Sequence, residues 1–494
     1  MNELFRDQPV TITGPDVAVT GLAYDSRQVQ PGFLFAALRG VTSDGHAHIG
    51  DAIARGAGCV LSEEPIEAES VTSIVSEDSR QALARAARVF FGDPAEQLTM
   101  VGVTGTNGKT TTALIVEGVL RAAGKRAGVI GTLGARFEGE LTDTGLTTPQ
   151  SVELVKLLGS MQESGATAAV MEVSSHALVQ HRTSGVSFDV GVFTNLTQDH
   201  LDYHGSLDEY FEAKALLLRE RLKEGGQAVI NLDDPMVATL ADERVIGFSR
   251  KGHSQARIRV VEERLTLHSI ELTVEVDGET FEITSPLVGA FNVENILAAV
   301  GVALALGIAV DVVAEGLAEI SAVPGRLERV SQADEPLVVV DYAHTPDALE
   351  KALSVLRELT DNRLLCVFGC GGDRDARKRA PMGRAVGQIA DVAVLTNDNP
   401  RTEDPQAIAD AVIPGLEEAG MTEQDDSSLR GYRVELDRMR AIELAVRAAG
   451  PGDAVLIAGK GHEDYQIVGD EVRHFDDREA ARRVLEMRRT EALI

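Results

Sequence analysis

The sequence predicts an α/β protein of three domains, and three observations lead there. Its 494 residues are too many for one compact core, since single domains usually stop growing near about 250 residues. Aromatic residues make up only 4% and Trp is absent, so the cores must be built from Val, Leu, Ile and Ala. That palette suits parallel strands buried under helices. Apolar strand-like runs also alternate with helical patterns along most of the chain, the signature of parallel sheets covered on both faces. The composition shifts divide the chain at 1–97, 98–323 and 324–494.

The first segment carries short strand-like runs, such as Gly32–Leu38, among small helices and ends at the turn-rich Phe91-Gly-Asp-Pro94. The second opens with the apolar run Leu98–Val103, which leads into a glycine-rich loop and a helix from Thr110. Further strands are expected at Ala127–Ile130, Ala168–Val173, Val190–Thr194 and Gln227–Asn231. Residues 256–286 switch to strict alternation, with Asp277-Gly278 between Val274–Val276 and Glu279–Ile283. That pattern is a β-hairpin, expected as an antiparallel appendage. The apolar run Ile296–Val310, 15 residues long, is short for a membrane span and reads as a buried helix. The third segment starts near Pro324-Gly-Arg326. Strands at Leu337–Asp341, Leu364–Phe368, Val392–Thr396 and Ala454–Ala458, with helices between them, give a second open, Rossmann-like sheet. Such sheets bind ligands at the carboxyl ends of their strands.

The charge balance excludes some functions. With 47 Lys and Arg against 77 Asp and Glu, the net charge is −30. Nonspecific nucleic-acid binding and polybasic membrane contact both need the opposite sign. An anionic substrate would therefore need local Arg, Lys or metal charge inside its pocket. Three cysteines, Cys59, Cys366 and Cys370, form no disulfide framework and suggest a reducing, cytoplasmic setting. Cys366 and Cys370 lack a second Cys or His pair for zinc. The N-terminal MNELFRDQPV has no signal-peptide pattern, and no stable membrane insertion is expected; a monomer is expected as well.

The strongest motif is Gly105-Thr106-Asn107-Gly108-Lys109-Thr110-Thr111. Strand, glycine turn, Lys-Thr and helix follow in P-loop order: backbone N–H groups and the helix N-terminus cradle phosphates, Lys109 reaches the terminal phosphates, and the Thr110 hydroxyl ligates Mg²⁺. The first Gly of the standard pattern is Val103 here; a plain turn would not account for the Lys-Thr pair. The loop resembles the ATP loop of the Mur ligase superfamily, which includes folylpolyglutamate synthetases. Those enzymes phosphorylate a carboxylate with ATP and let an amine displace phosphate.

The remaining motifs can be read both ways. Glu172, at the end of a strand, could cap a helix, and Lys214 could be a solvated helix residue. The resemblance instead implies that Glu172 and His200 bind Mg²⁺ with Thr110 and that Lys214 is carbamylated. Free lysine is cationic and would repel the ion, so carbamylation turns it into a carboxylate-like ligand. Asn292 and Asn295 share a helical face; Asn292 could cap, and the resemblance implies that Asn here reads adenine. It also assigns Arg326 and Asp341 to the nucleotide, with Arg326 offsetting phosphoryl charge and Asp341 on the ribose; His344 is expected to shape its loop. Tyr24 and Ser26, with Asp44-Gly-His46, resemble a UDP-recognising segment. Thr147, Thr148, Ser174, Gln180 and Arg182 match residues holding a muramoyl dipeptide. Leu146 stands where relatives often have Asn and cannot supply that side-chain hydrogen bond.

Asp398-Asn399-Pro400-Arg401 follows a strand and could be only a turn. It resembles the signature of family members that add meso-diaminopimelate, whose far-end carboxylate Arg can fork bidentately. Arg374, Gly459 and Glu463 are expected at the same edge, Glu463 on the far-end ammonium. The resemblance thus implies ATP- and Mg²⁺-dependent addition of meso-diaminopimelate to UDP-MurNAc-L-Ala-D-Glu through an acyl phosphate, in peptidoglycan synthesis. It further implies domains that close to exclude water. A lysine-adding relative is disfavoured by Arg401, a folylpolyglutamate synthetase by the uridine segment, and a noncatalytic nucleotide-binding homologue by the intact Lys109, Glu172, His200 and Lys214.

Overall fold

The structure is a computed structural model describing residues 1–40, 43–66, 71–266, 269–318, 320, 323–332, 335–424 and 430–492. Two compact units emerge. The first holds Met1–Val260, Val274–Phe281 and Glu294–Gly316, and the second holds Val261–Thr273, Glu282–Val293 and Leu317–Ile494. Residues 1–97 therefore share one compact unit with most of 98–323, while 261–273, 282–293 and 317–323 of that second segment fall in the other.

Within the first unit, the N-terminal residues form a five-stranded sheet: Val10–Thr13, Thr72–Ser76, Cys59–Ser62, Phe33–Ala36 and Gly21–Ala23, in that spatial order. Only the first pairing is antiparallel. The neighbouring sheet has a parallel centre of Leu222–Asn231, Phe188–Phe193, Thr99–Thr104, Ala168–Glu172 and Ala127–Gly131, side by side in that order. Apart from residues 222–227 at the start of Leu222–Asn231, their residues are almost wholly buried, as expected of strands covered on both faces. One hydrophobic cluster runs from Phe5 and Leu34 through Leu61 to Met100, Leu154 and Phe188, so the two sheets share a core.

The expected appendage is instead a continuation of this sheet. Ile258–Leu265 joins Val245–Ser249 in parallel, Phe248 opposite Ile258, and Ile270–Val276 and Glu279–Ser285 follow in the strand order. An open strand edge offers unpaired N–H and C=O groups, so added strands pair with it rather than hang apart. The Asp277-Gly278 turn is as expected, both residues having positive φ (51° and 92°), which suits a tight hairpin. The apolar run from Ile296 is not one helix: Phe291–Ala305 stops, and Val310–Ala318 starts anew after Gly307, whose φ is +67°.

In the second unit, six strands lie in the order Glu328–Arg329, Leu337–Asp341, Ala454–Ala458, Leu364–Phe368, Val392–Leu395 and Gly431–Val434. All but the first pairing are parallel. Alternate residues of Leu337–Val340 enter two separate clusters, one per sheet face. A small hairpin, Tyr465–Val468 with Glu471–His474, stands beside the Asp398–Arg401 turn, with Arg401 bridging to Val468. No helix among the described residues is long and apolar enough to cross a membrane.

Candidate active site

The phosphate loop lies at the carboxyl end of Thr99–Thr104 and opens the helix Lys109–Ala122. Its shape requires glycine twice. Gly105 has φ +143°, and a Cβ there would stand 1.9 Å from the Thr194 hydroxyl; at Gly108, φ +86°, a Cβ would stand 2.3 Å from Asn295 Oδ1. The segment after the neighbouring strand Phe188–Phe193 clamps the loop. Thr106 N–H donates to Asn195 O (2.9 Å), Asn107 N–H donates to Asn195 Oδ1 (2.9 Å), and Thr194 Oγ1 donates to Asn107 O (2.6 Å). Thr197 N–H donates to Thr106 Oγ1 at 3.0 Å. Lys109 Nζ folds onto the loop's own carbonyls, Gly105 O at 2.9 Å and Thr106 O at 3.0 Å. Thr110 and Thr111 are buried at the helix start, and Thr112 Oγ1 donates to Asn295 Oδ1.

Lys214 is not a solvated helix residue. It is 1% exposed, its Nζ donates to Gly105 O at 2.8 Å, and it lies 4.5 Å from the centre of the Tyr210 ring. Burial, reinforced by the charge of Lys109, pushes its pKa well below the usual lysine range. Glu172 ends the strand beside the loop strand, opposite Val103. Its side chain is buried, and Thr132 grips both oxygens, N–H to Oε1 at 2.8 Å and Oγ1 to Oε2 at 3.1 Å. His200 adopts φ +51°, sits 3.5 Å from Asp199 Oδ2, and packs edge-on to His176 with ring centres 4.9 Å apart. His176 belongs to a cluster with Tyr203, His204 and Tyr210. Burial lowers the pKa of both His176 and His204. No three His, Cys, Asp or Glu side chains among the described residues are grouped to hold a metal. A metal here would need the Thr110 hydroxyl and a modified Lys214 beside Glu172 and His200. The donor set fits Mg²⁺ in kind, since a carboxylate and a hydroxyl gather at the sheet edge where phosphates would lie.

On the same unit, Thr148 Oγ1 donates to Glu172 O (2.8 Å) and accepts from Ser174 N–H (3.1 Å). Arg182 donates to Thr148 O at 3.0 Å and to Gln180 Oε1 at 2.6 Å. Thr147 Oγ1 lies 3.2 Å from that of Thr132. The fold thus brings Thr147, Thr148, Ser174, Gln180 and Arg182 together beside Glu172. Tyr24 donates to Glu153 Oε1 at 2.9 Å, and burial, then Glu153, raise its pKa. Both line a cavity of about 400 Å³ with Leu146, Pro149 and Lys156. Ser26 is buried, starting a short helical turn capped by Asp25.

In the second unit, Asp341 is committed to its own backbone, accepting from Leu327 N–H and Ala343 N–H, each at 2.8 Å; burial raises its pKa. It ties down the turn carrying Arg326, whose guanidinium lies 5.8 Å from the Tyr342 ring centre. His344 Nδ1 sits 2.7 Å from Tyr342 O, a loop-shaping contact. Asn292 Nδ2 donates to Val288 O at 2.7 Å, a local bond at the helix entry.

The Asp398–Arg401 turn and the Gly459–Glu463 loop meet. Asn399 Nδ2 donates to Glu463 Oε2 (3.3 Å), and Asn399 Oδ1 accepts from Ile467 N–H (2.9 Å). Pro400 O stands so close to Gly372 that a Cβ there would lie 1.9 Å away, and Arg401, φ +51°, donates to Gly372 O at 2.8 Å. Arg374, two residues on, is exposed. The roots of both loops are held by Arg438, which donates to Asn397 O and Ala458 O from a fully buried pair with Asp477. Lys460, enclosed completely, lies among Asp398, Asn399 and Glu463. Sequence reading passed over Thr132, Thr194, Asn195, Thr197, Lys460 and Arg438. All but Arg438 directly follow parallel strands, and that position is the signal that could have found them.

Comparison with known proteins agrees with this layout. Residues 18–91 match the Mur ligase family catalytic domain, 103–303 the Mur ligase middle domain, and 325–461 the Mur ligase glutamate ligase domain. A relative from Gloeobacter violaceus, named UDP-N-acetylmuramoyl-L-alanyl-D-glutamate–2,6-diaminopimelate ligase, is 47% identical over 96% of each chain. A solved structure bearing the same enzyme name is 34% identical, with TM-score 0.72 over 95% of each chain. The MurF ligase of Thermotoga maritima in complex with ADP, 20% identical, shares the fold at TM-score 0.61, over 97% of this chain and all of that one.

Proposed function

The chain belongs to the Mur ligase family, and on that premise we infer that it joins meso-diaminopimelate to UDP-MurNAc-L-Ala-D-Glu with ATP. The observation that carries the chemistry is Lys214, buried and hydrogen-bonded to Gly105 O at the root of the phosphate loop. Burial shifts such a lysine toward the neutral amine, the form that attacks CO₂: a C–N bond forms, one proton leaves, and an anionic carbamate results. Thr110, Glu172, His200 and carbamylated Lys214 would then hold Mg²⁺, which offsets phosphate charge when bound.

A D-Glu carboxylate oxygen attacks the γ-phosphorus, the bond to ADP breaks, and an acyl phosphate forms. The diaminopimelate amine attacks the acyl carbon, loses a proton, and expels phosphate. Lys109, resting on two loop carbonyls, is within a side-chain swing of phosphates seated on the Gly105–Thr111 N–H groups. Asn292, Asn295, Arg326 and Asp341 are assigned to the nucleotide, and Tyr24 and Ser26 to the uridine end. Thr147, which meets Thr132, and Thr148, Ser174, Gln180 and Arg182, which are linked to one another, would orient the muramoyl dipeptide. Arg374, Asp398, Asn399, Pro400, Arg401, Gly459 and Glu463 would bind the incoming amino acid, Arg401 on the far carboxylate and Glu463 on the ammonium. Domains of 1–97, 98–323 and 324–494, action as a monomer and a cytoplasmic setting belong to the same proposal; three buried free thiols are in keeping with a reducing compartment.

The test is phosphate release from ATP, Mg²⁺ and UDP-MurNAc-L-Ala-D-Glu, with diaminopimelate or lysine offered separately. Release with diaminopimelate alone is expected; equal or faster release with lysine would move the protein to the lysine-adding branch.

A further inference from the structure

Lys460 is wholly enclosed, with a side-chain exposure of 0%. Its Nζ lies 3.2 Å from Asn399 Oδ1, 3.5 Å from Asp398 Oδ1 and 3.6 Å from Glu463 Oε2. The Tyr465 ring centre is 5.5 Å away. Asp398 Oδ1 is itself buried and accepts no hydrogen bond, so the Lys460 ammonium is what compensates it. A buried lysine surrounded in this way fixes its partners; Asn399 in turn donates to Glu463 and accepts from the N–H of Ile467, whose carbonyl accepts from Arg401 N–H. No assigned role accounts for it.

We propose that Lys460 is a positioning residue that sets the net charge of the amino-acid pocket, and thereby the choice between a zwitterionic and a purely cationic side-chain end. This rests on the reading of the pocket as a diaminopimelate site. Lys460, Asp398 and Glu463 set one positive charge against two negative, and the half-buried Arg401 and exposed Arg374 add two positive charges at the edge of the pocket. The far end of diaminopimelate, one ammonium and one carboxylate, sums to zero, whereas the far end of lysine carries a single positive charge. Removing the Lys460 charge makes the pocket more negative by one, which favours lysine; removing the Asp398 charge makes it more positive by one, which disfavours lysine. Charge mismatches of this kind separate ligands.

The test measures kcat/KM for diaminopimelate and for lysine in wild type, Lys460→Met, Asp398→Asn and the double variant, with KM for ATP and the unfolding midpoint alongside. The preference for diaminopimelate should follow charge: highest in Asp398→Asn, intermediate and similar in wild type and double variant, and lower by at least about tenfold in Lys460→Met. Should Lys460→Met fail to fold, comparing Asp398→Asn with the double variant still isolates the lysine charge, and the preference should fall there too. Equal loss of both amino acids, or an order that ignores charge, overturns the proposal. A wild type that does not use diaminopimelate would instead overturn the reading beneath it.

Discussion

Lys214 shows how a single residue can oppose stability and serve chemistry. Burial lowers the pKa of its amine in the folded chain, so the unfolded state binds the proton more tightly and burial costs stability below the ordinary lysine range. That cost shrinks as pH rises toward the ordinary lysine range, where the unfolded side chain loses its proton as well. Lys214→Met should therefore raise the unfolding free energy at pH 7 by roughly 1–3 kcal/mol, read by denaturant unfolding, and the advantage should fade toward pH 10. Substitution at Lys214 would also remove the proposed carbamate. Lys214→Ala should lose at least about 100-fold in phosphate release, with partial recovery on adding formate or acetate to the assay. Full activity in Lys214→Ala would end its assignment as a metal-holding group.

Elements explain why the loops keep their shape. Gly105 is pressed against Thr194, and the loop hangs on bonds from Thr194, Asn195 and Thr197. Gly105→Ala should raise KM for ATP at least about tenfold, because both its backbone conformation and the available space reject a Cβ. In the second unit the comparable device is Arg438, whose guanidinium bonds the carbonyls just before the Asp398 turn and the Gly459 loop. Arg438→Met would strand Asp477 as an unpaired buried charge. The expected cost, read by denaturant unfolding, is about 3–5 kcal/mol. The Asp277-Gly278 hairpin and the strands Leu337–Asp341, Leu364–Phe368 and Ala454–Ala458 were legible from local pattern because their period and turn residues are local facts. The break after Ala305 was not, since the composition stays apolar across Gly307.

Across the whole molecule, the Gly105–Thr111 loop lies in one compact unit and the Asp398–Arg401 turn in the other. Arg401→Ala should therefore raise KM for diaminopimelate at least about tenfold and leave KM for ATP within about twofold; equal effects on both would count against Arg401 as an amino-acid ligand. By itself, the sequence determined the α/β class, the order of strands along the chain, the glycine-rich Gly105–Thr111 loop and the Asp398–Arg401 turn motif. Each of these is written in contiguous residues. Only the tertiary structure decided that residues 1–97 share a core with the central sheet, that Thr132 grips Glu172, that Lys214 reaches Gly105 and that Lys460 lies between Asp398 and Glu463. Most of these contacts join residues 40 to 109 positions apart, and partners so distant are chosen by how strands pair and helices pack, which no local pattern records.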